Sequence, residues 1–144
     1  KALAETIFLN ANNTTPKDGT RYRVLRYGNV AGSKGSVIPR WREMKHNGRE
    51  VVPCTDPECT RFFMYMYQAL ALVLQGIKTE GTDLLIPTLP AYRLGDLAEA
   101  IGVKMDILGL PEYEKRHESM AAGNSSDIAR RMSVPEITAA LEAV

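Results

Sequence analysis

Asn29 stands in the run Tyr27-Gly28-Asn29-Val30, directly behind the β-branched and aromatic stretch Tyr22–Tyr27. Ligands of α/β folds bind outside the carboxyl ends of strands, and a glycine there lets backbone approach closely. Asn29 can therefore face a polar ligand, or simply close an Asx-turn that shapes the loop. Ser36 opens an apolar helical run with Val37 behind it. Its hydroxyl and the nearby amides can meet a phosphate at a helix N-terminus, or it can be an ordinary N-cap worth about 1 kcal/mol. Arg61, in Thr60-Arg61-Phe62, carries a guanidinium fork that suits two phosphate oxygens; the alternative is a surface strand arginine. Glu114 heads a charged Glu114-Lys115-Arg116 run, as a hydroxyl acceptor or a solvated charge. Each of these residues has a ligand-facing use and an ordinary structural one, and residue type alone leaves both open.

Other chemistries are poorly served. Cys54 and Cys59 lack the second ligand pair that a zinc site needs. His46 is expected on an exposed helix face. His117 is expected to be a structural hydrogen-bonder, since no serine or cysteine nucleophile motif accompanies it. No metal is expected. Charge is uneven: residues 1–50 carry ten Lys/Arg against four Asp/Glu, and residues 51–144 carry eight against thirteen. The basic third can face an anion, or be a solvated helix face with strand-end arginines. The pI near 8.0 and the lack of interleaved aromatics argue against nucleic acid as a partner. No apolar run approaches the ~20 residues of a membrane helix. The start, Lys1 to Glu5, lacks the features of a signal peptide. No membrane partner is expected, and the cytoplasm is.

The elements that must position these groups read as α/β. Leu3, Ile7 and Phe8 with Ala4 and Ala11 predict a helix over residues 1–12. Residues 12–19 form a turn-rich loop, and Tyr22–Tyr27 a strand of the buried parallel kind. A helix over Val37–Met44, with Pro39 in its first turn, ends at Gly48. Short extended pieces follow at Val51–Val52 and Arg61–Met64, then a helix holding Leu70, Leu72, Val73, Leu74 and Ile77. Leu84–Pro87 reads as a strand, Asp96–Ile101 as a helix and Lys104–Leu108 as a strand. Ser133-Val134-Pro135-Glu136 has capping-box spacing and opens a last helix to Leu141.

Three stretches in this order carry a resemblance: Arg26 through Pro39, Thr55 through Met64, and Glu114 through Met120. They resemble the patterns RYGNVxGSRGSVxP, TDPxMTRFxM and RPGEKxHExM of the inverting UDP-N-acetylglucosamine 4,6-dehydratases of polysaccharide biosynthesis, which are extended short-chain dehydrogenase/reductases. Leu84–Pro87 through Leu97-Ala98 is similar to a further family segment, so the resemblance covers nearly the whole chain. It implies the C-terminal portion of such an enzyme. Residues 1–30 would be residual Rossmann elements and residues 31–144 a small mixed α/β substrate-binding lobe, with the N-terminal Rossmann half absent from this sequence. Asn29, Ser36, Val37, Arg61 and Glu114 would bind the nucleotide sugar, Arg61 at the diphosphate and Glu114 at the ribose. Tyr27 and Val30 would border the nicotinamide of NAD or NADP. Lys1, followed by Ala-Leu-Ala-Glu-Thr-Ile-Phe, aligns with the lysine of the family's Tyr-xxx-Lys pair. Such a lysine holds the nicotinamide ribose and lowers the tyrosine's pKa by its charge; an ordinary surface lysine is the alternative.

The chain departs from the family at Pro111-Glu112-Tyr113, where Arg-Pro-Gly is usual, and at Cys59, where Met is usual. It contains no G-x-x-G-x-x-G loop, no acidic residue after a second strand and no Tyr-xxx-Lys. A dinucleotide needs those parts, so this chain is expected to need its missing half or another chain as partner. The complete protein is expected to be a homo-oligomer. The implied reaction moves a hydride from sugar C4, loses water across C5–C6 and returns the hydride to C6. A C4 epimerase or a sugar reductase is the nearby alternative. A non-catalytic module that binds nucleotide sugar or another chain is the alternative of a different class.

Overall fold

The computed structural model describes residues 1–16 and 18–144; Lys17, inside the expected loop, lies outside the described residues. The chain is a mixed α/β fold of five helices and eight short strands among these residues. Helix α1 spans Ala2–Ala11. Strand β1 is only Val24–Leu25 and pairs in parallel with β4, Leu84–Leu85. The expected six-residue strand is shorter because its start is claimed elsewhere and its partner strand is short. The Asn12 amide brackets Tyr22, accepting its N–H at 2.9 Å and donating to its carbonyl at 2.7 Å. Pro87 closes off β4 by removing a donor.

Helix α2 is Val37–His46, β2 is Val51–Cys54 and β3 is Thr60–Phe62. Helix α3 is Met66–Lys78, β5 is Ala91–Arg93 and α4 is Leu94–Ile101. Strand β6, Lys104–Ile107, pairs in parallel with β2, and β3 runs antiparallel to β5. A hairpin of β7, Ser119–Ala121, and β8, Asn124–Ser125, precedes α5, Val134–Glu142. The predicted capping box forms: the Ser133 hydroxyl accepts from the Glu136 amide while the Glu136 carboxylate takes the Ser133 N–H at 2.8 Å.

Two apolar clusters hold the chain together. One joins α2, α4, α5 and β2 through Trp41, Val52, Leu97, Ile101 and Ile137. The other packs Leu72 of α3 and Leu85 of β4 against Phe62, Met64 and Met120, with Leu25 at its margin. The β1–β4 pair thus takes one strand from each side of residue 30, and α3 lies against it. By contrast, α1 buries none of its residues. Leu3, Ile7 and Phe8 are 74, 59 and 50% exposed, which leaves an apolar helix face open to solvent. Leu70, Leu74 and Ile77 on α3 are likewise exposed. No helix of the described residues is long and apolar enough to cross a membrane.

Candidate functional site

Behind β1 the chain does not simply turn; it lies down on β3. A Cβ added to Gly28 would stand 2.5 Å from the Cβ of Phe62, so only a glycine permits this approach. Val30 then makes a parallel bridge to Met64, and the Ala31 amide donates to the Met64 carbonyl at 2.8 Å. That seating fixes Asn29, which is exposed, at the head of the loop leading into α2.

One edge of β3 is paired with β5, and the other edge takes the charged run 114–118. The Thr60 amide donates to the Arg116 carbonyl at 2.9 Å, and the Phe62 amide to Glu118 Oε2 at 3.0 Å. A buried polar cluster locks this docking. Thr60 Oγ1 lies 2.8 Å from His117 Nδ1 and 2.6 Å from Ser126 Oγ, and Ser126 Oγ accepts the Glu118 N–H at 2.8 Å. His117 is therefore a structural hydrogen-bonder, as its surroundings in the sequence suggest. The consequence is at Arg61: its Nη2 donates to Glu114 Oε1 at 2.7 Å, across 53 positions of sequence. Its Nη1 donates to the carbonyls of Thr60 and Arg116, at 2.8 and 3.1 Å, and Nε stands 3.9 Å from Glu118 Oε1. Two residues with separate expected roles are thus ion-paired with each other.

These pieces enclose a cavity of about 360 Å³, within the ~300–1,000 Å³ of small-molecule sites. Asn29, Ser36, Val37, Arg61 and Glu114 all line it, with Arg40, Trp41, Cys54 and Thr55. All five residues expected at a nucleotide sugar are thus gathered from three distant segments. Ser36 is the N-cap of α2, yet its side chain makes no capping bond. Its Oγ is buried with no hydrogen-bond partner among the described residues. A hydroxyl in that state stays available to a ligand, since burying a donor unpaired costs about 1–3 kcal/mol. Burial pushes the Cys54 thiol up from its ordinary value, so it stays protonated and unreactive near neutrality. Burial also raises Cys59. Both are free thiols, and the described residues hold no metal-ligating cluster.

The residues expected at a nicotinamide do not line this cavity. Lys1 is exposed at the head of α1, Tyr27 is 51% exposed, and Val30 is half-buried in its bridge to Met64. They are nevertheless linked. Arg26 Nε donates to Glu5 Oε2 at 2.8 Å, which ties the first turn of α1 to the residue before Tyr27. Pairing with Arg26 holds the Glu5 carboxyl below the ordinary carboxylate range. Among the described residues, Arg40 is the one charged lining residue of this cavity that the motifs do not mark. Its position four after Ser36, on the same helix face, was the available signal. A larger cavity, about 760 Å³, lies among the carboxyl ends of α2, α4 and α5 and holds none of the expected residues. Arg42 there already donates to the Leu141 and Val144 carbonyls, and Lys45 to that of Ile101.

Comparison with known proteins places the chain in a family. UDP-N-acetylglucosamine 4,6-dehydratase (inverting) of Campylobacter jejuni is 34% identical over 131 residues, 89% of this chain and 39% of that protein. UDP-glucose 4-epimerase of Rickettsia bellii is 32% identical over 130 residues, 85% of this chain and 38% of that protein. The chain therefore spans about two fifths of the length of these curated relatives. The crystal structure of Pen from Bacillus thuringiensis shares the fold, with a TM-score of 0.86 at 24% identity, over 100% of this chain and 56% of that one. A family model described as polysaccharide biosynthesis protein matches residues 1–141, and with that match the chain belongs to the polysaccharide biosynthesis protein family.

Proposed function

We propose that this chain is the substrate-binding portion of a nucleotide-sugar 4,6-dehydratase, acting on a UDP-N-acetylhexosamine and inactive without a cofactor-binding half. The observation that carries this reading is the single cavity lined by Asn29, Ser36, Val37, Arg61 and Glu114. A nucleotide sugar offers two phosphates and a ribose, and this donor set matches both. The Arg61 fork and the amino end of α2 face the diphosphate. Ser36 Oγ donates its unspent hydrogen bond there. Glu114 gives Oε1 to Arg61 and keeps Oε2 for a ribose hydroxyl. Asn29 orients the sugar diphosphate at the carboxyl end of β1. Exposed Tyr113 replaces the family's glycine, and the arginine two positions earlier in the family pattern is absent, so the grip on the base differs.

The cofactor of the complete protein would be NAD or NADP, which supplies a hydride acceptor and donor when bound. Lys1, Tyr27 and the Val30 backbone fit its nicotinamide end: an exposed ammonium and an exposed aromatic ring, held to one unit by the Glu5–Arg26 pair. The Lys1 charge would lower the pKa of a neighbouring phenol.

The test is turnover of UDP-N-acetylglucosamine with NAD or NADP, followed by mass spectrometry. The 144-residue chain alone should give none, whereas the complete protein should yield a product lighter by one water. Turnover by the chain alone would sink the proposal, as would failure of the complete protein to bind UDP. A C4 epimerase is the second reading, favoured by the Rickettsia bellii relative; it predicts a product of unchanged mass.

A further inference from the structure

We propose that Arg40 is a substrate-binding residue of this site, supplying the uncompensated positive charge that receives the substrate's diphosphate. The inference rests on the nucleotide-sugar reading above and adds a residue that the family motifs do not mark.

The reasoning begins with the charges around the cavity. Its lining holds two cations, Arg40 and Arg61, and one carboxylate, Glu114. Arg61 is already committed. Three of its five N–H groups are donated, two to carbonyls and one to Glu114, and its Nε faces Glu118 at 3.9 Å. Its guanidinium is thus matched by one carboxylate in contact and a second nearby, with only 13% of the side chain exposed. An incoming dianion that met Arg61 alone would meet a neutralised cation with a carboxylate on either side.

Arg40 is in the opposite state. Its side chain is exposed, and among the described residues it forms no ion pair and no side-chain hydrogen bond. It stands one helical turn after Ser36, so both project from the same face of α2 into the same cavity. The buried, unpartnered Ser36 hydroxyl lies at the start of that turn. A free guanidinium next to an unspent hydroxyl is a donor set for a phosphate group. The geometry then assigns an order of contacts: Arg40 attracts and holds the exposed phosphate, while Arg61, already locked against β3, receives the other with its remaining N–H groups. The site therefore distinguishes a diphosphate from a monophosphate.

The experiment is titration of UDP, UMP and uridine against the complete protein, as wild type, Arg40→Ala and Arg40→Lys, at low and high salt. Arg40 is exposed, so the variants should melt with wild type, and this is measured alongside. Arg40→Ala should weaken UDP by about tenfold or more, the lower end of a hydrogen bond to a charged group. UMP should lose less, uridine nothing, and the salt dependence of UDP binding should flatten. Arg40→Lys should recover part of the loss. If Arg40→Ala binds UDP within twofold of wild type, while Arg61→Ala does not, the inference is overturned and the nucleotide-sugar reading stands. If wild type binds no UDP, both fall.

Discussion

Replacing Arg61 by alanine tests whether the β3 arginine is a ligand clamp or merely a brace for the run 114–118. The structure separates the two costs. Loss of the guanidinium removes the 2.7 Å contact with Glu114 and two donations to carbonyls. Neither carbonyl is orphaned: Thr60 O keeps the Ser126 hydroxyl at 3.1 Å, and Arg116 O keeps the Thr60 amide at 2.9 Å. The Glu114 side chain is 27% exposed and can rehydrate. The folding cost should therefore be small, about 0.5–1.5 kcal/mol, the net worth of one ordinary hydrogen bond. Binding should suffer more, because a phosphate left without its charged donor forfeits about 1.5–3 kcal/mol. That is roughly a 10- to 140-fold weaker Kd, at 1.4 kcal/mol per factor of ten. Calorimetric titration of UDP into the complete protein reads this directly. On the proposed reading, titration of NAD or NADP serves as the control and should be nearly unchanged. Arg61→Lys should recover only part, because a point charge cannot make the forked contact. If Arg61→Ala kept UDP within about twofold, roughly 0.4 kcal/mol, Arg61 would be a brace and its assignment to the diphosphate would be withdrawn.

Gly28→Ala would place a Cβ 2.5 Å from Phe62 Cβ and 3.3 Å from Leu89 Cδ1. Phe62 Cβ is fixed to backbone and cannot rotate away, so overpacking of about 1–3 kcal/mol is expected. That lowers the melting temperature by roughly 2–12 °C, and an unchanged melt would show that the loop seats otherwise. The pH response of α5 turns on Glu136, whose carboxyl is pulled down from 4.5 to about 2, chiefly by the Ser133 amide and also by Arg130. A depressed carboxylate contributes stability that is full above its unfolded value and lost as pH falls through its folded one. The Glu136 contribution should therefore vanish between about pH 4.5 and 2, and Glu136→Gln should flatten that span of the melting-temperature curve. Superimposable curves would remove Glu136 from the account.

Much of this molecule is legible along the chain because its devices are local. The capping box at Ser133 is a matter of residues three apart, and it forms as spaced. The apolar periodicity of α1 and α3 marks helices whichever neighbours they have, and the apolar face of Leu3, Ile7 and Phe8 is exposed, as expected of a helix whose sheet lies outside this sequence. Asn29, Ser36, Arg61 and Glu114 stand out along the chain through the motifs that carry the family resemblance, not through their types alone.

What the chain order could not decide is strand extent and encounter. Tyr22–Tyr27 has the composition of a six-residue strand, but only Val24 and Leu25 lie in register with a partner strand, because β4 is two residues long and Pro87 follows. Strands β5, β7 and β8 escaped notice because each is two or three residues long and is defined by the edge it pairs with, not by its own alternation. The Arg61–Glu114 pair exists because β3 has a second edge whose amides need acceptors, and the run 114–118 supplies them through the Arg116 carbonyl and the Glu118 carboxylate. Hydrogen-bond demand at that edge sets two residues 53 positions apart in contact, and no pattern in sequence encodes which edge is left open. Arg40 belongs to the same class: its type is ordinary on a helix, and only the packing of α2 beside that docked run makes it a wall of the cavity.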